Sequence, residues 1–265
     1  LGQSLMFGVM RLTNTAQGDF IILGGFFAIS LVAATGLSIG VALLLIAPAA
    51  FVFGCLLQRF VLNGTLGRDP LPSLVVTFGL AIIIQNLLLE MYSADPRSLD
   101  AGALAFDSVT LGTLTVGTLP LLTLGAALLA TLSLQALFTF TPLGRSSRAV
   151  SDDREAARLM GIRPAIVYAQ ATGLAFILIA IAGTLQAMRT TVAPSDGPLL
   201  LLFAFEAVII GGMGSFWGTL LGALLLGVAQ QIGFRIDPGW GIWAGHLTFL
   251  FVLLVRPQGL FPKTR

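Results

Sequence analysis

In 265 residues there is one cysteine, one histidine, a single lysine and two tyrosines, and only 10% of the chain is charged. Each scarcity removes a class of function. Cys55 lies inside an apolar run, so no intrachain disulfide can form and the thiol reads as a small apolar side chain. One histidine with one cysteine leaves no metal-ligand set and no nucleophilic triad, so neither an enzyme nor a metal or other cofactor is expected. The lysine, Lys263, follows Phe261 and Pro262 close to the end of the sequence. A P-loop needs its lysine after a glycine-rich turn, so this chain cannot bind ATP in that way. The arginines serve topology rather than nucleic-acid binding. An ordinary soluble domain is about 25% charged, so a water-facing surface cannot be built from this composition, and the surface must face lipid.

What is present is apolar length. The chain is 56% hydrophobic, and a membrane span needs about 20 mostly apolar residues. Leu37 to Gln58, Pro72 to Tyr92, Val116 to Phe138 and Ala165 to Ala187 meet that length with few or no charges. Phe20 to Thr35, Leu199 to Met213, Phe216 to Gly233 and Ile242 to Val255 are shorter, and are read as spans that are tilted, broken or packed inside a bundle. The 31 glycines suit helices that approach closely in lipid. The fold class expected is an all-α, polytopic transmembrane helix bundle, one domain over residues 1–265. Without an initiator Met or a charged n-region, Leu1 to Met10 reads as half of a truncated first helix rather than a signal peptide.

Charge sets the orientation. Arg145, Arg148, Arg154, Arg158 and Arg163 form the densest basic cluster, which places the loop 141–164 on the cytoplasmic side. Simple alternation then puts Arg59, Arg68, Arg256, Lys263 and Arg265 inside, and the loop with Asp95, Asp100 and Asp107 outside. Counting the partial first helix, nine crossings result, with the N-terminus outside.

The basic loop itself predicts a short amphipathic helix from about Ser151. Asp152 and Asp153 suit its N-terminus, and Gly161 with Pro164 ends it. Glu155, Ala156 and Ala157, followed after three residues by Gly161, match the pattern that forms the coupling helix of ABC importer permeases and docks into a groove on the ATPase. The plainer reading is a loop that only sets topology. Over nearly its whole length the chain resembles the permease subunits of branched-chain amino acid ABC importers, in NTAQGDFIILGG, LGR with EAARLMGI, FEAVIIGGMGSFWGTLLGALLLG and RPQGLF. One departure is Gln17, where family members often carry histidine; an amide cannot titrate near neutral pH, so no proton role is carried over. The resemblance implies a bacterial inner-membrane protein partnered by two cytoplasmic ATP-binding subunits, a second permease forming a heterodimer, an external or periplasmic solute-binding protein and membrane lipid, with no nucleic acid. Relatives carry leucine, isoleucine and valine, other amino acids, urea or amides, so the solute stays open.

Ionisable groups within spans are costly, by about 2.5 to 3.5 kcal/mol on insertion scales. Glu206 and His246 stand out, with Asp19 and Glu90 nearer span ends where they can reach water. Asp19 is followed after four apolar residues by Gly24 and Gly25, and Glu206 after four by Gly211 and Gly212, in segments running in opposite directions. An inverted repeat would look like this, and such transporters place interrupted, Gly-rich helices on the pathway; coincidence in a glycine-rich chain is the plainer account. These eight residues, Asn14, Gln17, Asp19, Gly24, Gly25, Glu206, Gly211 and Gly212, are the expected substrate path. Gly214, Gly218 and Gly222 line one helix face for packing. The competing function is an ion-coupled secondary transporter that uses Asp19, Glu206 or His246 as a relay.

Overall fold

The computed structural model describes residues 1–67, 69–112 and 114–261. Arg68, Lys263 and Arg265, assigned above to the cytoplasmic side, lie outside the described residues. The helices are α1 (Gly2–Met10), α2 (Gln17–Thr35), α3 (Ile39–Phe60), α4 (Leu71–Tyr92), α5 (Thr118–Phe140), α6 (Pro142–Asp152), α7 (Arg154–Leu159), α8 (Pro164–Arg189), α9 (Gly197–Gly211), α10 (Phe216–Ile236) and α11 (Trp240–Val255). Among the described residues seven helical stretches are long and apolar enough to cross a membrane, and α11 is a shorter apolar helix. Pro72, Pro142, Pro164 and Pro198 each stand in the first turn of a helix, where a missing N–H costs nothing.

The all-α expectation has one local exception. Ser108–Leu111 (β1) and Leu114–Gly117 (β2) form an antiparallel hairpin, with Val109 opposite Val116. Val116 therefore ends a strand rather than opening a span, and α5 begins at Thr118. Threonine and valine favour pleated backbone, and apolar content alone does not separate such a run from the start of a helix.

α8 is the central helix, packed against α1, α2 and α3. Small residues let it approach. A Cβ on Gly183 would fall 2.2 Å from the Ile21 carbonyl oxygen, and one on Gly173 would fall 2.7 Å from Cys55 Sγ. The Cys55 thiol donates to the Ala169 carbonyl at 3.2 Å, so the lone cysteine is an interhelical packing residue. Large apolar side chains such as Leu44, Val75, Leu129 and Leu254 are mostly exposed and form the surface that lipid would meet.

Loops gather at opposite ends as alternation requires. At one end Arg154 donates to the Leu66 carbonyl and Ser151 to the Gly8 carbonyl. At the other, Arg97 pairs with Val192 through the backbone and Tyr92 meets Ser30 at 2.6 Å.

Two connections do not stay at the ends. α1 runs down to the end that carries residues 141–164, where Gly8 lies against Gly214. The chain turns at Arg11 in the left-handed region, and by Gln17 it is back beside Gly2, the top of α1. From the outer end, after Val192, the chain likewise returns inward through a 3-10 turn at Pro194–Asp196 to start α9. The two returns meet, because a Cβ on Gly18 would fall 1.9 Å from the Gly197 carbonyl oxygen. Both α2 and α9 thus begin inside the bundle, against each other.

Candidate functional site

At that meeting point the polar residues concentrate. Asp19, in the first turn of α2, is 2% exposed; its Oδ1 accepts from Gln85 Nε2 of α4 at 2.8 Å, and its side chain lies against Gly197 at the start of α9. A carboxylate beside the positive end of a helix is electrostatically favoured, which accounts for an acid at this depth. Asn14 caps the turn by accepting from the Ala16 N–H at 3.0 Å, and Thr15 is bonded to Thr77 of α4. Gln17 lies across Gly2.

A cavity of about 470 Å3 opens beside this point, walled by α1, α2, α5, α8, α9 and α10. Gln3 and Gln17 line it, and so do Thr123, Thr219 and Gln186, with Arg189 at its edge. Of the eight path residues expected from sequence, Gln17 alone lines it. Gly24 instead borders an apolar groove of about 240 Å3 between α2, α3 and α8. Gly25 packs on Gly183, and Gly211 packs on Gly218, where a Cβ would fall 2.2 Å from backbone. Gly212, at φ 96, ends α9. Gly218 and Gly222 both pack on α9.

Glu206 is also off the cavity. Its Oε1 meets His246 Nδ1 of α11 at 2.5 Å, its Oε2 is buried without a partner, and Phe203 stacks on the His246 ring with centroids 6.1 Å apart. Asp19 sits at the start of α9 and Glu206 nine residues further along, roughly 13 Å by the helical rise. The expectation that these two acids converge is therefore corrected. The matching acid–glycine spacings also fall at unlike places, Asp19 in the first turn of its helix and Glu206 well past the middle of α9. What the two halves share is the path of the backbone, a helix, a return into the bundle and a second helix.

The loop 141–164 is two helices rather than one from Ser151. Ser151 and Asp152 end α6, and the backbone turns extended at Asp153, whose Oδ1 accepts from the N–H groups of Glu155 and Ala156 at 2.8 and 3.0 Å to cap α7. Gly161 sits at φ +82, a conformation that a side chain would strain, and faces open space. Glu155 and Ala156 face outward, but Ala157 is 4% exposed, packed in the cluster that holds Val167 and Tyr168. The outward apolar residues are Leu159 at 89% and Met160 at 82% exposed. The signal for them was in the sequence: two large apolar residues that follow Asp152, Asp153, Arg154, Glu155 and Arg158 in a polar loop have no core of their own to join.

Residues 1–255 match the family described as branched-chain amino acid transport system / permease component. The chain is 28% identical to the high-affinity branched-chain amino acid transport system permease protein BraD of Pseudomonas aeruginosa, over 99% of this chain and 90% of that protein. It is 26% identical to the permease protein LivH of the same kind of system in Escherichia coli, with the same coverage. To LivM of Escherichia coli it is 34% identical over 54% of this chain and 35% of that protein. No solved structure matches.

Proposed function

Because the chain belongs to the family of permease components of branched-chain amino acid transport systems, we propose that it is the membrane-spanning subunit of an ATP-driven importer. It moves branched-chain or other amino acids, or similar small polar solutes, across the bacterial cytoplasmic membrane. It works with two cytoplasmic ATP-binding subunits, a second permease and an external solute-binding protein. Similarity to both LivH and LivM, permease proteins of one kind of transport system, supports a pair of related permeases in one complex.

The observation that carries this reading is the tip of α7. A water-facing loop that presents Leu159 and Met160, backed by Ala157 packed into the bundle, is built to hold an apolar knob rigidly outward. Burying two such side chains in a partner groove contributes about 1.5 to 3 kcal/mol each, and the backing transmits a push on the knob to α8. A loop that only sets topology needs neither feature.

Leu159→Asp with Met160→Asp is expected to leave the permease assembled, to remove copurifying ATPase, and to lower uptake at least about tenfold, since a lost 1.4 kcal/mol is a factor of ten. Normal uptake and normal ATPase recovery would overturn the docking role. Uptake that survives an uncoupler and stops on ATP depletion is expected; the reverse pattern would assign the chain to the ion-coupled class.

A further inference from the structure

We infer that Gln3 and Gln17 are the solute-recognising side chains of the central cavity and that they select a solute of zero net charge with a non-polar body. This inference rests on the importer reading above. Gln3 is 2% and Gln17 3% exposed, and Nε2 and Oε1 of Gln3 and Oε1 of Gln17 have no hydrogen-bond partner among the described residues. Buried amides left unsatisfied oppose folding, so such groups persist in native structures where they have work to do.

The fold brings the two together. Gln17 opens α2 because the chain climbs back from Arg11, and its amide lies close against α1 at Gly2, which has no side chain to displace it. A Cβ there would fall 2.7 Å from Gln17 Nε2. Both side chains then border the same cavity, whose other walls are largely apolar, with Ile21, Leu178, Ile181 and Phe203 among them.

The charge inventory narrows the solute. Among the described residues Arg189, exposed at the edge, is the only side chain lining the cavity that carries a charge, and no carboxylate lines it. Asp19 is held by Gln85 and Glu206 by His246, both outside it. A cationic solute would lose water here without gaining a counter-charge, and an anionic one would meet only Arg189, exposed at the edge. A carboxamide offers two donors and an acceptor, so a pair of them can meet the amino and carboxylate groups of a zwitterion, or a neutral amide, together.

The test uses the whole importer, with radiolabelled leucine, lysine and glutamate as zwitterionic, cationic and anionic probes. Gln3→Leu and Gln17→Leu are expected to lower leucine uptake at least tenfold, with the amount of assembled complex and its thermal stability unchanged or raised. Gln17→Asn, which keeps a carboxamide, is expected to retain more uptake than Gln17→Leu. Leucine variants that transport like the parent, or that fail to assemble, would each overturn the inference, the second by making the amides structural. Import of lysine or glutamate alone would overturn the zero-charge selection. Failure of the unmodified complex to import any probe with ATP would instead sink the importer reading on which the inference stands.

Discussion

His246→Leu is expected to remove most of the assembled protein, because it strands the buried Glu206 carboxylate. Glu206 is 2% exposed, and among the described residues its Oε1 has His246 as sole partner and its Oε2 has none. Breaking a buried ion pair from one side costs about 3 to 5 kcal/mol, whereas replacing both members by apolar groups is often neutral or stabilising. The order of stability expected is therefore the parent close to the double variant Glu206→Leu with His246→Leu, both above Glu206→Leu, and His246→Leu lowest. Glu206→Leu leaves a histidine that is 29% exposed at its side chain and can bond to water, so its loss is smaller, about 1 to 3 kcal/mol. Thermal unfolding of the detergent-extracted complex measures the series. Because Glu206 does not line the cavity, transport per assembled complex is expected to change little in the double variant. A stable His246→Leu protein would show that the pair contributes nothing, and a stable double variant without transport would return Glu206 to the solute path.

The second large effect concerns the crossing of α2 and α9. Gly18→Ala puts a methyl 1.9 Å from the Gly197 carbonyl oxygen and 2.8 Å from the Leu201 backbone nitrogen. Neither is the end of a flexible side chain, so the two helices must separate. Overpacking usually costs about 1 to 3 kcal/mol, and a collision with backbone at the point where two returning segments meet belongs at or beyond the upper end. Gly79→Ala, in α4 with nothing near its added methyl, is the matched control. It is expected to be neutral or to stabilise by about 0.5 to 1 kcal/mol, as alanine does in a helix. Equal yields and unfolding temperatures for Gly18→Ala and Gly79→Ala would mean that the crossing is not tight in solution.

The loop 141–164 shows how far local signals reach. Asp153 as a cap and Gly161 as a stop were readable, because capping and left-handed backbone are decided within a few residues. That Ala157 turns inward while Leu159 and Met160 turn outward was not readable. It depends on α8 supplying Val167 and Tyr168 underneath. The acid–glycine repeat misled for a related reason. Spacing along the chain counts residues, while depth in a bundle depends on where each helix begins, and α2 and α9 begin in its interior.

Composition by itself determined that this chain is a polytopic bundle, since a surface with so little charge is stable only against lipid. Its arginines determined which loops share a face, and its motifs determined the family. Only the tertiary structure decided which polar residues share a space. Gln3 and Gln17 are fourteen positions apart, and Glu206 and His246 forty; the first two share a cavity because the chain returns into the bundle, and the second two meet because α9 and α11, with α10 between them in sequence, pack side by side. The period of a helix carries no information about that distance. At membrane depth a polar side chain must find its partner on another helix, so partnership is a property of the packed bundle rather than of any stretch of sequence.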